Sequence, residues 1–274
     1  MTRRITPTLL ILVFVLLGCD EGTTMDTSSV SYLQSEATIL SSYYGLDELP
    51  PPIVILCQGL SSVGEDGMPV TFSEQIDAES LTPEMFAVQT ADSSWAVPTC
   101  ATLRPADEPL ELRTVLLTGP FGTANAQPQG VEVVGDLLDV EGKTLKGLRS
   151  GITPLEAGPS VLLAELFDPQ TEGLRGECPD QTTQVVQLTW EGGVTGPDGS
   201  ALAEPQRQAV TVLLENGENV TPIALADDDP DNFVHACLQV DSPAVSVTIA
   251  AGYFHDPGDD ANPATSAILV PGNE

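Results

Sequence analysis

Basic residues are scarce in this chain. Nine Lys and Arg stand against forty Asp and Glu, a formal charge of −31. A surface of that sign repels nucleic acid and anionic headgroups, and favours solubility and divalent cations. Histidine is rarer, with only His235 and His255; a zinc or catalytic centre could use both, each near an acidic loop, but a strand position beside Cys237 for His235 and a turn for His255 are the plainer readings. Aromatics make up 5% of residues, which puts core anchoring ahead of sugar stacking for Trp95, Trp190, Tyr253 and Phe254. No Gly-x-Ser-x-Gly, His-Glu-x-x-His or P-loop occurs, leaving hydrolase and nucleotide chemistry without a motif. A glycosidase dyad cannot be singled out among forty carboxylates. Disorder is not implied, because 41% of residues are apolar and many lie in β-type runs.

The longest apolar run, residues 9–17, follows Arg3 and Arg4 and falls short of the ~20 residues that span a bilayer core. Charged start, short apolar run and small residue before the processed position together make a secretory signal. The run ends Leu16-Leu17-Gly18-Cys19, which resembles the lipobox of bacterial lipoproteins. In that family the cysteine is acylated on sulfur, the signal is removed before it, and the new N-terminus is acylated too. The resemblance implies lipidation of Cys19, with palmitate-type chains, and attachment without a membrane helix. An ordinary signal with a chance cysteine is the competing reading. Asp20 resembles the inner-membrane retention signal of enteric bacteria. Loss of the signal removes two of nine basic residues, leaving seven against forty, a charge of −33.

Four cysteines remain: Cys57, Cys100, Cys178 and Cys237. An exported chain meets an oxidising compartment, so an even number reads as disulfides. Three pairings are possible. Cys57–Cys100 and Cys178–Cys237 are favoured, since each then lies within one proposed domain. Metal binding by these residues fits less well, with no Cys-x-x-Cys pair and no histidine cluster.

Along the chain, residues 1–18 read as the signal and 19–49 as a lipidated tether. The second half of the tether, around Tyr32, Leu33, Ile39, Leu40, Tyr43, Tyr44 and Leu46, has spacing compatible with a short docking helix. Pro50-Pro51-Pro52 ends it. Residues 50–155 form the first β domain, with strands expected at 53–57, 68–73, 86–90, 95–100, 112–118 and 131–135. Val70 and Phe72 alternate with Thr71 and Ser73, and Asp77 and Ser80 suit turn and cap roles before the next strand.

Two stretches here are similar to the SbsA-type bacterial Ig-like domain. One is Val70-Thr71-Phe72-Ser73-Glu74-Gln75-Ile76-Asp77 with Ser80-Leu81-Thr82-Pro83-Glu84-Met85-Phe86-Ala87-Val88. The other is Asp139-Val140-Glu141-Gly142-Lys143-Thr144-Leu145, which resembles that family's closing Asp-x-x-Gly-Asn-x-Leu turn with Lys143 in place of asparagine. The resemblance covers roughly a third of the chain. It implies a β-sandwich that serves as a spacer or display unit; a disulfide is unusual in that family.

Residues 156–274 read as a second β domain, after Pro154 and Pro159. Val186, Leu188 and Trp190 alternate with Gln187 and Thr189, and Val245, Val247 and Ile249 with Ser246 and Thr248. Turn signals fall at Gly192-Gly193, Pro197-Asp198-Gly199 and Asn216-Gly217. Cys57 precedes Val70-Thr71-Phe72 as Cys178 precedes Leu188-Thr189-Trp190. Cys100 is followed by a strand and Gly119-Pro120-Phe121, as Cys237 is by a strand and Gly252-Tyr253-Phe254. The fold class expected is therefore all-β, two tandem Ig-like sandwiches, each stapled by one disulfide, the second a diverged copy.

Two acidic loops carry the remaining chemistry, 227–232 and 256–262. Calcium takes six to eight oxygens on a turning backbone, and Asp227, Asp229, Asp231, Asp256, Asp259 and Asp260 supply carboxylates for it. Neither loop has EF-hand spacing, and a solvated acidic loop is the plainer reading. The expectation is a membrane-anchored envelope lipoprotein, facing periplasm or cell surface. It would act as a structural, adhesion or protein-binding module on an envelope protein or polysaccharide. The alternative is a calcium-assisted enzyme on envelope or extracellular polymer. The two differ in whether the acidic loops and His255 converge in one concave pocket.

Overall fold

The structure is a computed structural model that describes residues 36–47, 49, 64–174, 178–226 and 231–272. Its strands, numbered along the chain, form four sheets. In the first half β1 (Ile39–Ser42), β2 (Asp66–Phe72), β6 (Thr114–Gly119) and β5 (Cys100–Thr102) pair in that order, antiparallel throughout. The sheet opposite is β4 (Trp95–Ala96), β3 (Phe86–Gln89), β7 (Gly130–Val133) and β8 (Arg149–Gly151). Val70, Phe72, Leu117, Phe86, Val88 and Val133 meet between them with no exposure. This is the period-2 signature of strands that each bury one face.

The second half repeats that plan. One sheet runs β9 (Val161–Phe167), β10 (Gln184–Trp190), β14 (Phe233–Leu238), β13 (Ala224–Ala226); the other runs β12 (Asn219–Val220), β11 (Val210–Leu214), β15 (Ala244–Ile249), β16 (Thr265–Ile268). Strand by strand, β9-β10-β14-β13 matches β1-β2-β6-β5, and β12-β11-β15-β16 matches β4-β3-β7-β8. One strand is extra: β17 (Val270–Pro271) lies parallel to β9. The core between these sheets holds Val186, Leu188, Trp190, Val212, Val234 and Val247, with Trp190 against Phe254, ring centroids 4.7 Å apart. Among the described residues the sole α-helix is the six-residue Glu204–Ala209. No helix there is long and apolar enough to cross a membrane.

Local chemistry explains the turns. Asp77 Oδ1 accepts from Glu79 N at 3.0 Å, and Ser80 Oγ donates to the Asp77 carbonyl at 2.8 Å, the turn and cap roles expected of those residues. In the Asp139 turn, Oδ1 accepts from Glu141 N and Lys143 N at 3.0 and 2.8 Å, while Gly142 takes φ +81°. Only the backbone of residue 143 takes part, so lysine serves there as asparagine would.

Three expectations are corrected. The segment around Ile39 is strand β1 in register with β2, not a helix; its Ser41, Ser42, Tyr43 and Tyr44 are all buried, and pairing with an open sheet edge outweighs a weak helical spacing. The expected strand 95–100 is two short strands in different sheets, because Pro98 offers no N–H where the chain crosses over. Val245 is not the buried partner of Val247. Val245 is the extra residue of a bulge in β15, opposite Leu213 and Leu214, which shifts the alternation and buries Ala244 instead.

Candidate functional site

Of the predicted site residues, Cys19, Cys57, Asp227 and Asp229 lie outside the described residues. Cys178 and Cys237 form a disulfide closing 59 residues. Cys100 is disulfide-bonded too, to a partner outside the described residues. It opens β5, whereas Cys237 lies in β14, the counterpart of β6. The cysteines are therefore not at matching positions of the two copies, nor are Gly119-Pro120-Phe121 and Gly252-Tyr253-Phe254. The β2 and β10 landmarks do match.

The second acidic loop is the copy of the Asp139 turn. Asp256 Oδ1 accepts from Asp260 N at 2.7 Å as Asp139 Oδ1 accepts from Lys143 N. Asp259 N bonds the Asp256 carbonyl as Gly142 N bonds that of Asp139, and Asp259 has φ +65° where Gly142 has +81°. Asp256 is buried, and its Oδ2 accepts from the Tyr43 hydroxyl at 2.7 Å. Burial first, then the Asp256 carboxylate, drives the Tyr43 pKa far above its ordinary value; burial likewise raises that of Asp256. Asp259 is held below the usual range by the Asp198 amide and then by His255, whose Nδ1 is 2.8 Å from its Oδ1.

Tyr43 belongs to the first half and Asp256 to the second, and theirs is one of several contacts joining the halves. Gln187 and Thr189, on the face of β10 away from the core, are fully buried, not solvated as their alternation predicts, because the 104–114 segment covers that face. Arg113 places Nη2 at 3.0 and 2.9 Å from both oxygens of Glu165, with each side chain 3% exposed. Asn232 Nδ2 donates to Thr114 Oγ1 at 2.9 Å. Glu191 Oε1 accepts from Ser41 and Thr153 hydroxyls, and Oε2 from Ser160 N. Glu108, Glu111 and Asp231 bring carboxylate oxygens within 4.8 Å of one another, and His235 Nε2 lies 3.7 Å from Glu111 and 2.9 Å from Gln187 Nε2.

Beside this interface is a cavity of about 640 Å³. The first half gives it an apolar wall, Leu46, Leu49, Pro69, Leu103, Ala106 and Leu116. The second gives Asp198, Asp231, Asp256 and Asp259, with the glycine edges Gly192, Gly193 and Gly199. The described parts of both acidic loops thus meet in one concavity; His255 is one residue removed from its lining. Trp190 and Phe254 are core anchors, whereas Trp95 and Tyr253 are 52% and 40% exposed.

Sequence reading missed Tyr43, Arg113, Glu165 and Glu191. One signal pointed to Arg113: a cation is rare in so acidic a chain, and a rare cation is worth pairing. Nothing in local pattern marks the others.

No protein-family model and no curated protein matches the chain. Solved structures similar to it are S-layer proteins. The N-terminal part of the bacterial S-layer protein SbsC is 10% identical, over 85% of this chain and 44% of that one, at a TM-score of 0.29. The S-layer protein rSbsC and domains 1–6 of surface layer protein SbsC are each 11% identical, over 86% of this chain and 41% of theirs, at 0.29. The chain spans under half the length of these relatives. The architecture rests on its own strand pairing.

Proposed function

We propose that this chain is a lipid-anchored protein of the bacterial cell envelope, facing periplasm or cell surface. Its two Ig-like sandwiches would act as a non-enzymatic structural, adhesion or protein-binding unit, with an envelope protein or polysaccharide as partner. The observation that carries the reading is the duplicated pairing order joined by a buried polar interface, which suits a body that holds position. Cys19 would carry the acyl chains and Cys57 would pair with Cys100. Growth of the source bacterium with labelled palmitate tests the anchor: label is expected in the intact chain and lost in Cys19→Ser, with release of that variant from membranes. Label retained in Cys19→Ser rejects it. Pull-down of the intact lipoprotein from its own envelope tests the binding role, which recovery of no reproducible partner would remove.

A second reading, calcium at the acidic loops, is favoured by one observation: Asp231, Asp256 and Asp259 border the same cavity. Asp260 would add a further oxygen. Against it, both Asp256 oxygens already accept hydrogen bonds within the fold. Melting with calcium and with chelator separates the cases; a higher Tm in calcium supports a site that stabilises the second half, and superimposable curves reject it.

A further inference from the structure

We propose that the cavity between the halves binds a small organic cation, an apolar body carrying one protonated amine. The proposal stands apart from the anchor and from calcium. At about 640 Å³ the cavity is in the range that holds small ligands, which sites of this kind bury between apolar walls and a few placed polar groups. The two sides are chemically distinct. Leu46, Leu49, Leu103 and Leu116 offer no hydrogen bond, so they select an apolar body.

The charge on the other side has one sign. Four aspartates line the cavity against one arginine, and that Arg104 is paired with Asp107, Nε to Oδ2 3.1 Å. Of the four, Asp259 keeps one oxygen for a ligand: its side chain is 53% exposed, and its two contacts, the Asp198 amide and His255 Nδ1, both fall on Oδ1, while both oxygens of Asp256 are taken by Tyr43 and Asp260. An ion pair with Asp259 at the open side of the cavity adds a modest Coulomb attraction, and an anion there would meet like charge. The overall charge of −31 adds long-range attraction for cations. Charge therefore decides which apolar ligand enters.

Calorimetric titration of the purified full chain, in chelator to exclude calcium, compares three ligands on one three-carbon phenyl frame: 3-phenylpropylammonium, 3-phenyl-1-propanol and 3-phenylpropanoate. Expected is saturable one-to-one binding of the ammonium, about tenfold tighter than the alcohol, with the carboxylate weakest. Asp259→Asn should bring the ammonium down to the affinity of the alcohol and leave the alcohol unchanged. Leu116→Trp, which fills the cavity from the first-half wall, should abolish both. If Leu116→Trp lacks a cooperative melt, the Asp259→Asn comparison decides alone. No saturable binding of the ammonium, equal affinity for ammonium and carboxylate, or indifference to Asp259→Asn overturns the proposal. Any of these leaves the anchor reading standing, since palmitate labelling addresses that separately.

Discussion

Arg113 is nearly sealed from solvent against Glu165, so neither charge has water to fall back on. A buried pair adds little net stability relative to an apolar substitute, but breaking it from one side leaves an uncompensated charge. Arg113→Met is therefore expected to cost about 3–5 kcal/mol at neutral pH, read from denaturant melts. Burial, opposed by Arg113, already raises the Glu165 pKa above its ordinary 4.5. Without the guanidinium, protonation becomes the escape, so the loss should shrink at pH 5. Adding Glu165→Leu to Arg113→Met should recover most of it. An equal loss at both pH values would mean the arginine acts through packing alone. The rarity of cations marked Arg113, but its partner was not legible in the sequence: the pair is 52 residues apart, and spacing says nothing about which surfaces of the two halves meet.

At the level of single elements, the strands were the readable part. Val70 and Phe72, Val186 and Leu188 alternate as buried strands must, and Asp77, Ser80 and Asp139 announce their turns through side chains that bond nearby amides. Legibility failed where a rule of one element is overridden by another. Residue 245 is the unpaired residue of a bulge where β15 meets β11, and 39–42 became strand because an edge was there to pair with. The kinship of the Asp256 turn with the Asp139 turn went unseen for a different reason. The Asp256 turn has no glycine where its counterpart has Gly142; Asp259 takes the left-handed conformation instead, and aspartate tolerates that region better than most residues. A cluster of acids hid a copy of a turn. The cross-link is simpler. Closing 59 residues between Cys178 and Cys237 is worth about 4 kcal/mol in the chain-entropy model, so the double variant Cys178→Ser, Cys237→Ser should lose that much in denaturant melts. A loss below about 1 kcal/mol would show that the cross-link confines the unfolded chain less than the model assumes, residual structure there already restricting it.

Across the whole molecule, buried carboxylates and net charge act in one direction. Burial raises the pKa of Asp66, Glu165 and Asp256. A carboxyl whose folded pKa lies above its unfolded one binds its proton more tightly in the fold. Its contribution is present below the unfolded value, about 4, and is lost as pH climbs through the folded one. Self-repulsion at −31 grows over the same range. Tm is expected to be higher at pH 5 than at pH 8 at fixed ionic strength, with added salt narrowing the gap through the surface component. Tm rising with pH would contradict both sources. The exposed carboxylates with lowered pKa, Asp92 and Glu204 at about 2, titrate below this window.

The Glu191 contacts have a mechanical meaning. The chain passes from one half to the other through 152–160, and it does not cross free. Thr153 exchanges backbone hydrogen bonds with Ser42 and Tyr44 and gives its hydroxyl to Glu191, which Ser160 also holds by backbone and amide. Tension applied along the chain thus reaches the joint through several bonds that must shear together. Tandem modules on a bare linker swivel and rupture one after another. These two share their load at the seam, so pulling from both ends should open the outer strands before it separates the halves.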